Sequence, residues 1–220
     1  MMLSEEVKKG QAAYTKIGLA VYDFWVLGIS NQYIWECPSS EIIAHFDKHI
    51  SSNHLDIGVG TGYFLNNCKF NQDDSKVRIA LMDLNQNSLD KAANCIKRYK
   101  PSKYRYNVLK KIDLDIAPFD SISLNYLFHC LPGKLSSKLK VLSNIDHLLS
   151  ANGTVFGATL LSKDIDMTPL ARRLMSFYNA KGVFSNTEDS KEDLARYLAN
   201  NYSKYRVELK GCVALFSASR

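Results

Sequence analysis

Three glycines at alternate positions limit the fold of this chain more than any other feature of its sequence. A short run, His54–Ile57, leads into Gly58, Gly60 and Gly62, after which the chain turns apolar again. Glycine permits a positive φ and a close approach of the backbone to a ligand. The free N–H groups at the start of a helix favour a negatively charged group. The stretch therefore predicts a strand, a tight turn and a helix that bind a nucleotide-like cofactor.

The spacing of these glycines differs from that of the dinucleotide-binding fingerprint, which is Gly-x-Gly-x-x-Gly. Here the pattern is Gly-x-Gly-x-Gly, and Tyr63 stands where the third glycine of the fingerprint would be. Asp56 lies two residues before the first glycine. A carboxylate at that position would repel a pyrophosphate but would bind an ammonium group. S-adenosylmethionine carries an ammonium group and no phosphate, so its chemistry fits this turn.

The segment Leu55–Gly62 resembles the first motif of class I S-adenosylmethionine-dependent methyltransferases. Three further segments are similar to the YbcY-like methyltransferases of bacteria and to fungal polyketide-tailoring O-methyltransferases: Val21–Trp25, Ser123–Gly133 and Phe156–Leu161. The resemblance implies that Asp56 and the backbone of the glycine turn hold the methionine part of the cofactor. It further implies that Leu84 packs on the adenine.

Strand and helix patterns alternate from residue 40 onwards, which is typical of a mainly parallel sheet. We expect an α/β fold, with a doubly wound, mainly parallel seven-stranded sheet of the Rossmann-like class I methyltransferase type. Its last two strands form an antiparallel hairpin around Gly211. Residues 1–38 are expected to be an N-terminal helical lid and residues 39–220 the cofactor-binding domain. The other predicted elements include a third strand over 104–109, one amphipathic helix over 135–149 and a fifth strand over 154–161.

Polar residues follow several of the predicted strands at their carboxyl ends, where such sheets bind ligands. Asp83 lies 21 residues beyond Gly62, close to the spacing at which an acid binds ribose hydroxyls. By the resemblance, Asn107 accepts a hydrogen bond from the adenine amino group, and Asp113 is the alternative. The predicted cofactor-binding residues are Asp56, Gly58, Val59, Gly60, Gly62, Asp83, Leu84, Asn107, Val108 and Asn125.

Methyl transfer from a sulfonium is a direct displacement, so placement alone can supply much of the catalysis. A hydroxyl acceptor would still gain from losing its proton, and His129 is the candidate base because its ordinary pKa is near neutrality. The alternative is a loop histidine that only bonds to backbone. The Asn/Asp-Pro-Pro-Tyr motif linked to methylation of planar nitrogens is absent, which favours oxygen. Position alone predicts an acceptor pocket lined by Tyr22, Trp25, Tyr126, Tyr178 and Asn179.

A basic run between Lys97 and Lys111 is interleaved with tyrosines, as in some nucleic-acid-binding surfaces. The interpretation we favour is a strand at the edge of the sheet, where charge discourages pairing with another molecule. The expected partner is a small, apolar or aromatic acceptor molecule and not a nucleic acid. Two alternatives stay open at this point: a methyltransferase acting on RNA or protein, and a cofactor-binding module without catalysis.

Composition narrows the class of protein further. The 220 residues are 46% hydrophobic and 23% charged, which fits a globular chain of one domain with a lid. Five cysteines without Cys-x-x-Cys spacing predict neither a disulfide framework nor a metal site. No apolar run approaches the ~20 residues of a membrane span, and the acidic start lacks a signal-peptide core. We expect a cytoplasmic monomer or homodimer.

Overall fold

The computed structural model describes residues 23–70 and 76–220, with only the backbone described for residues 23–27. Seven strands form one sheet: β1 (Asn53–Ile57), β2 (Arg78–Asp83), β3 (Ser102–Arg105), β4 (Phe119–Asn125), β5 (Leu149–Leu160), β6 (Lys204–Lys210) and β7 (Val213–Ser219). Their order in the sheet is β3-β2-β1-β4-β5-β7-β6. The five strands from β3 to β5 run parallel, and β7 pairs antiparallel with both β5 and β6. This is the predicted seven-stranded, mainly parallel sheet with a closing hairpin.

Helices connect the strands. Those described are a π-helical segment (Asp23–Ile34), α1 (Ser39–His49), α2 (Tyr63–Asn67), α3 (Gln86–Cys95), α4 (Leu135–Lys138), α5 (Lys140–Asn144), α6 (Pro169–Ala180) and α7 (Lys191–Asn201). Two of these helices, α6 and α7, begin with a side-chain N-cap. Thr168 Oγ1 accepts from the N–H of Ala171 at 3.1 Å, and Ser190 Oγ accepts from the N–H of Asp193 at 3.1 Å. Both bonds satisfy N–H groups that lack a partner within the helix.

Three predicted boundaries were wrong. The fifth strand, expected over 154–161, already begins at Leu149 and ends at Leu160. The expected helix over 135–149 is split into α4, α5 and a 3₁₀ turn, Asp146–Leu148, because β5 already begins at Leu149, which pairs with Phe119. The third strand is shorter and earlier than expected because its partner β2 ends at Asp83, which pairs with Arg105. In each case apolar spacing identified the buried residues but not the hydrogen-bonding pattern of the backbone.

Side chains of β1 and β2 alternate between the two faces of the sheet, each covered by its own apolar cluster. Leu55 and Met82 belong to the cluster that packs against α4, α5 and α7. Leu81 belongs to the cluster on the opposite face, with Phe46 of α1 and Ala92 of α3. Because His54 and Asp56 alternate with Leu55, they point toward that second face. The two polar residues are therefore buried between the sheet and its helices.

Strand β3 lies at one edge of the sheet, as the edge-strand interpretation of the basic run predicts. Both of its cations have partners within the chain. Lys103 Nζ lies 2.7 Å from Asp90 Oδ1, and Arg105 Nε donates to the carbonyl of Leu84 at 3.1 Å. None of the helices in 23–70 and 76–220 is long and apolar enough to cross a membrane.

Candidate active site

A cavity opens at the carboxyl ends of β1, β2 and β4, where parallel α/β sheets bind ligands. It encloses about 750 Å³ of empty space, including its mouth. Six of the ten predicted cofactor residues line it: Gly58, Gly60, Asp83, Leu84, Asn107 and Val108. The chain thus brings together, from three separate strand ends, residues that lie up to 50 positions apart in sequence.

The glycine turn has the backbone conformation that only glycine adopts without strain. Gly58, Gly60 and Gly62 have φ values of +73°, +54° and +81°. A Cβ atom on Gly60 would meet nothing within 4 Å, whereas one on Gly62 would lie 3.0 Å from the Cα of Ala92 in α3. Gly60 therefore leaves room for a ligand at the cavity wall, and Gly62 allows the turn to pack against α3.

Asp83 lines the cavity at the end of β2. Its Oδ1 accepts from the N–H of Asn85 at 2.7 Å, while the Asn85 side chain caps α3. Burial raises the pKa of Asp83 to about 6, and the amides of Asn85, Val59 and Leu84 oppose that rise. The carboxylate is ionised at neutral pH, and a carboxylate has acceptor capacity for more hydrogen bonds than these. Val59 does not line the cavity. Its contribution to the site is a hydrogen bond from its backbone N–H to the Asp83 carboxylate.

Asp56 does not line the cavity but lies buried behind the glycine turn, with 6% of its surface exposed. Ser123 Oγ of β4 donates to Asp56 Oδ1 at 2.5 Å. Burial raises the pKa of Asp56 to about 7; the Ser123 hydrogen bond opposes the rise and the nearby Asp83 adds to it. Asp56 therefore changes charge close to physiological pH.

We expect Asp56→Asn to stabilise the cofactor-free protein in a pH-dependent way. The folded pKa of Asp56 lies above its unfolded value, so the wild-type carboxyl stabilises the fold at low pH and loses that contribution as pH rises through about 7. The variant should match wild type near pH 4 and exceed its unfolding free energy by about 4 kcal/mol above pH 7.

Urea unfolding followed by circular dichroism between pH 4 and 8.5 measures this difference. Asp115→Asn, at an exposed position, is the matched control for the loss of a carboxyl group. A constant difference between Asp56→Asn and wild type over the whole range would contradict the prediction.

Asn125 ends β4 and is 7% exposed. Neither its amide nitrogen nor its amide oxygen has a hydrogen-bond partner among the described residues. Buried polar groups in native proteins are nearly always paired. An amide with both atoms unsatisfied at the carboxyl edge of the sheet therefore fits a ligand that offers both a donor and an acceptor.

The adenine side of the predicted site is formed by Leu84, Asn107 and Val108, all in the cavity lining. Asn107 Oδ1 also accepts from the N–H of Leu109 at 3.0 Å, so it would share its oxygen with a ligand. Asp113, the alternative acceptor, is exposed and does not line the cavity. The geometry therefore favours Asn107 over Asp113.

His129 is buried within the fold. Its side chain is 2% exposed and is absent from the cavity lining. Its Nδ1 accepts from the N–H of Leu160 at 3.3 Å, which leaves the proton on Nε2. Burial, followed by the charge of Lys138, lowers the pKa of His129 to about 3. In this geometry it is a neutral structural imidazole bonded to backbone, the alternative considered above, and the base role has no support.

The predicted acceptor residues divide into three groups. Tyr126 lines the cavity, and its hydroxyl donates to Asn31 Oδ1 at 2.8 Å. Tyr178 and Asn179 lie on α6 outside the cavity lining, and the Asn179 amide is already bonded to Asn186 and to the carbonyl of Met175. Tyr22 and the side chain of Trp25 lie outside the described residues.

Sequence reasoning missed part of the lining. Most of the missed residues come from the loop after β4 and from the segment after β3: Leu127, Cys130, Leu131, Pro132, Tyr106 and Leu109. Their positions after strand ends were a usable signal, but no residue type distinguished them. Their apolar character gives the cavity a surface suited to an adenine ring beside the carboxylate of Asp83.

Comparison with known proteins places this geometry in a family. Residues 55–155 match the family described as a methyltransferase domain. Demethylluteothin O-methyltransferase from Streptomyces thioluteus is 36% identical over 217 residues, covering 99% of this chain and 94% of that protein. YbcY from Escherichia coli K12 is 40% identical over 196 residues, covering 88% and 98%.

A fungal relative is similar to this chain in sequence, and a solved structure is similar to it in fold. The physcion biosynthesis cluster O-methyltransferase of Aspergillus chevalieri is 34% identical over 215 residues, covering 97% of this chain and 96% of that protein. An O-methyltransferase family protein from Burkholderia thailandensis has the same fold, with a TM-score of 0.65 and 15% identity over 94% of this chain and 61% of that one. Both predicted resemblances, to YbcY and to the fungal enzymes, are confirmed. The chain therefore belongs to the class I S-adenosylmethionine-dependent methyltransferase family.

Proposed function

We propose that this protein transfers the methyl group of S-adenosylmethionine to a hydroxyl of a small apolar or aromatic molecule. The observation that carries the proposal is the cavity itself, in which the glycine turn, the Asp83 carboxylate and an apolar wall converge at the carboxyl edge of the sheet. Two of the relatives are named as O-methyltransferases, which supports oxygen as the methylated atom.

The residues present fit the cofactor. In the proposed arrangement Asp83 accepts from the ribose hydroxyls, Leu84 and Val108 enclose the adenine, and Asp56 balances the charge of the ammonium group. Asn125 supplies a buried donor and acceptor close to the reacting end. When bound, S-adenosylmethionine supplies a methyl group on a positively charged sulfur. The chain's own part is to orient that group and to exclude water.

The acceptor would lie beside Tyr126, where the cavity meets an aromatic cluster. That cluster includes Trp35, Phe64, Tyr178 and Phe184. Its apolar surface suits an aromatic molecule better than a charged one. Asn31, from the segment that precedes α1, joins this wall through its bond to Tyr126. We include residues 1–38 in the proposal as the lid over the acceptor.

An RNA acceptor is less well supported. Two cations of the basic run, Lys103 and Arg105, lie in the edge strand β3. Three of its cations, Arg98, Lys103 and Arg105, contact Asn66, Asp90 and the carbonyl of Leu84. Side chains engaged within the chain are less available for phosphates. A direct check is RNA binding at low salt, where phosphate contacts are strongest.

Calorimetric titration with S-adenosylmethionine and S-adenosylhomocysteine, with NAD as the control, tests the cofactor. We expect micromolar binding of both sulfur ligands and none of NAD. Incubation with methyl-labelled S-adenosylmethionine and a panel of phenols, aliphatic alcohols, amines and RNA then tests the acceptor class. Cofactor binding followed by transfer only to amines or RNA would overturn the proposed hydroxyl acceptor. Binding of NAD alone would overturn the cofactor.

A further inference from the structure

A chain of buried hydrogen bonds runs along β1 and β4 from the amino edge of the sheet to Asp56. Ser121 Oγ lies 2.8 Å from His54 Nδ1, and His54 Nε2 lies 3.0 Å from Ser123 Oγ. Ser123 Oγ in turn donates to Asp56 Oδ1 at 2.5 Å. At the other end, Ser51 Oγ lies 2.8 Å from Ser121 Oγ. His54, Ser121 and Ser123 are buried, whereas Ser51 is partly exposed.

Chemistry fixes the direction of these bonds while Asp56 is ionised. A carboxylate only accepts, so the single hydroxyl proton of Ser123 points to Asp56. Ser123 must then accept from His54, whose Nε2 carries the proton. A neutral imidazole has one N–H, so Nδ1 accepts from the hydroxyl of Ser121. Every proton in the chain is directed toward Asp56, and each group is satisfied.

The opposite direction is also fully satisfied when Asp56 is protonated. Asp56 then donates to Ser123, Ser123 donates to His54 Nε2, and His54 Nδ1–H donates to Ser121. Ser121 donates to Ser51 Oγ, and Ser51 Oγ donates to the carbonyl of Asn53 at 2.9 Å. Here the final acceptor is at the partly exposed amino edge.

We propose that Ser51, Ser121, His54 and Ser123 form a proton relay that sets the charge of Asp56, with His54 changing tautomer each time Asp56 gains or loses a proton. On protonation, Ser51 Oγ passes its proton to Ser121 and takes a replacement from a solvent hydronium ion, which leaves as water. Ser121 passes its proton to His54 Nδ1 while Nε2 passes its own to Ser123. The proton of Ser123 moves to Asp56. One proton enters at Ser51, one arrives at Asp56, and His54 stays neutral throughout.

The relay rests on the proposed role of Asp56 toward the cofactor ammonium group, and it gives that role a mechanism. Asp56 is closed off from solvent, and a bound cofactor would cover the cavity side. Access from the amino edge lets the carboxyl reach equilibrium with solvent by another route. His54, Ser121 and Ser123 are positioning residues in this scheme, since they act through Asp56.

Few other titratable groups of the described residues lie near the relay. Asp83 on β2 raises the pKa of Asp56, and the Cys68 thiol, which follows α2, also faces Asp56. The ring of His54 packs against Phe46 and Phe156, and His45 and His49 of α1 contact the far side of Phe156. Burial lowers the pKa values of all three histidines, so each is neutral at the pH where Asp56 titrates.

Nitrogen-15 NMR of the His54 ring in the cofactor-free protein is the direct test, because protonated and unprotonated ring nitrogens have different shifts. We expect the Nε2–H tautomer above pH 8 and the Nδ1–H tautomer below pH 6, with a midpoint near 7. In Asp56→Asn the tautomer should not change with pH. A single tautomer throughout, or an imidazolium, would overturn the relay.

Ser123→Ala tests the link to the cofactor. Loss of a hydrogen bond to the ionised carboxyl should move the pH midpoint of S-adenosylmethionine binding upward by about 1–2 units. Ser217→Ala, at a buried serine of β7, is the control and should leave the midpoint unchanged. The tautomer of His54 should become independent of pH in Ser123→Ala.

The proposed function and the proton relay can be refuted independently of each other. If S-adenosylmethionine does not bind the wild-type protein, the proposed function fails, but the tautomer experiment still tests the relay. If it binds with the same pH midpoint in wild type and Ser123→Ala, the relay fails and the proposed function stands.

Discussion

Asp83→Ala is expected to weaken S-adenosylmethionine binding by about 10- to 150-fold, which corresponds to loss of a charge-assisted interaction of ~1.5–3 kcal/mol. The carboxylate is at the end of β2 in the cavity wall, where two ribose hydroxyls can donate to it. Its pKa of about 6 leaves it ionised at pH 7.5. Calorimetry at that pH gives the dissociation constants of variant and wild type.

Two further variants show whether the loss of affinity comes from the charge of Asp83 and from its position in the cavity. Asp83→Asn keeps the shape but removes the charge, so its affinity should lie between those of wild type and Asp83→Ala. Asp115→Ala removes an exposed carboxylate outside the cavity lining and should bind like wild type. An unchanged dissociation constant in a folded Asp83→Ala protein would refute the ribose assignment.

Lys138→Met is expected to lower the free energy of unfolding by about 3–5 kcal/mol. Lys138 Nζ lies 2.6 Å from Asp189 Oδ2, and the two side chains are 0% and 1% exposed. The ammonium group also donates to the carbonyl of Ser185. Removing it leaves the Asp189 carboxylate buried without a counter-charge, and its Oδ1 already has no partner among the described residues. Urea unfolding measures the loss.

The double variant Lys138→Met/Asp189→Leu should recover most of the stability lost in Lys138→Met, because an apolar pair of similar size avoids desolvating two charges. Arg196→Ala is the control for an exposed ion pair. Arg196 contacts Glu192 and Asp193 on the surface of α7, and its loss should cost less than ~1 kcal/mol. Equal effects of Lys138→Met and Arg196→Ala would contradict the prediction.

The glycine turn and the strand ends were predictable because their physics is local. A positive φ at Gly58, Gly60 and Gly62 favours glycine, so the sequence pattern alone indicates the turn. Asp83 was found by its distance from that turn along the chain, and parallel strands bring their carboxyl ends to one edge. These rules need no knowledge of side-chain packing.

The status of His129 was not predictable, because its role depends on contacts between distant residues. Its neighbours Thr159 and Leu160 come from β5, and Phe184 comes from the segment after α6. A histidine just after a strand looks like a base until those contacts exclude it from the cavity. The same limit applies to Asn179, whose amide is taken up by Asn186. The hydrogen bonds of His54 with two serines could not be predicted either, because they depend on the register between β1 and β4.

The two outermost strands of the sheet bear on how the protein behaves at high concentration. β3 and β6 occupy its two edges, and both carry cations: Lys103 and Arg105 in β3, and Lys204, Arg206 and Lys210 in β6. Unpaired strand edges otherwise template association with another copy. Lys103 is paired with Asp90 and Arg206 with Glu208, but Arg105 and Lys204 leave both edges with an excess of positive charge, so two molecules that approach edge to edge repel each other. Sheet extension is thus a disfavoured route to fibrils or insoluble aggregates, and raising the salt concentration should weaken that protection.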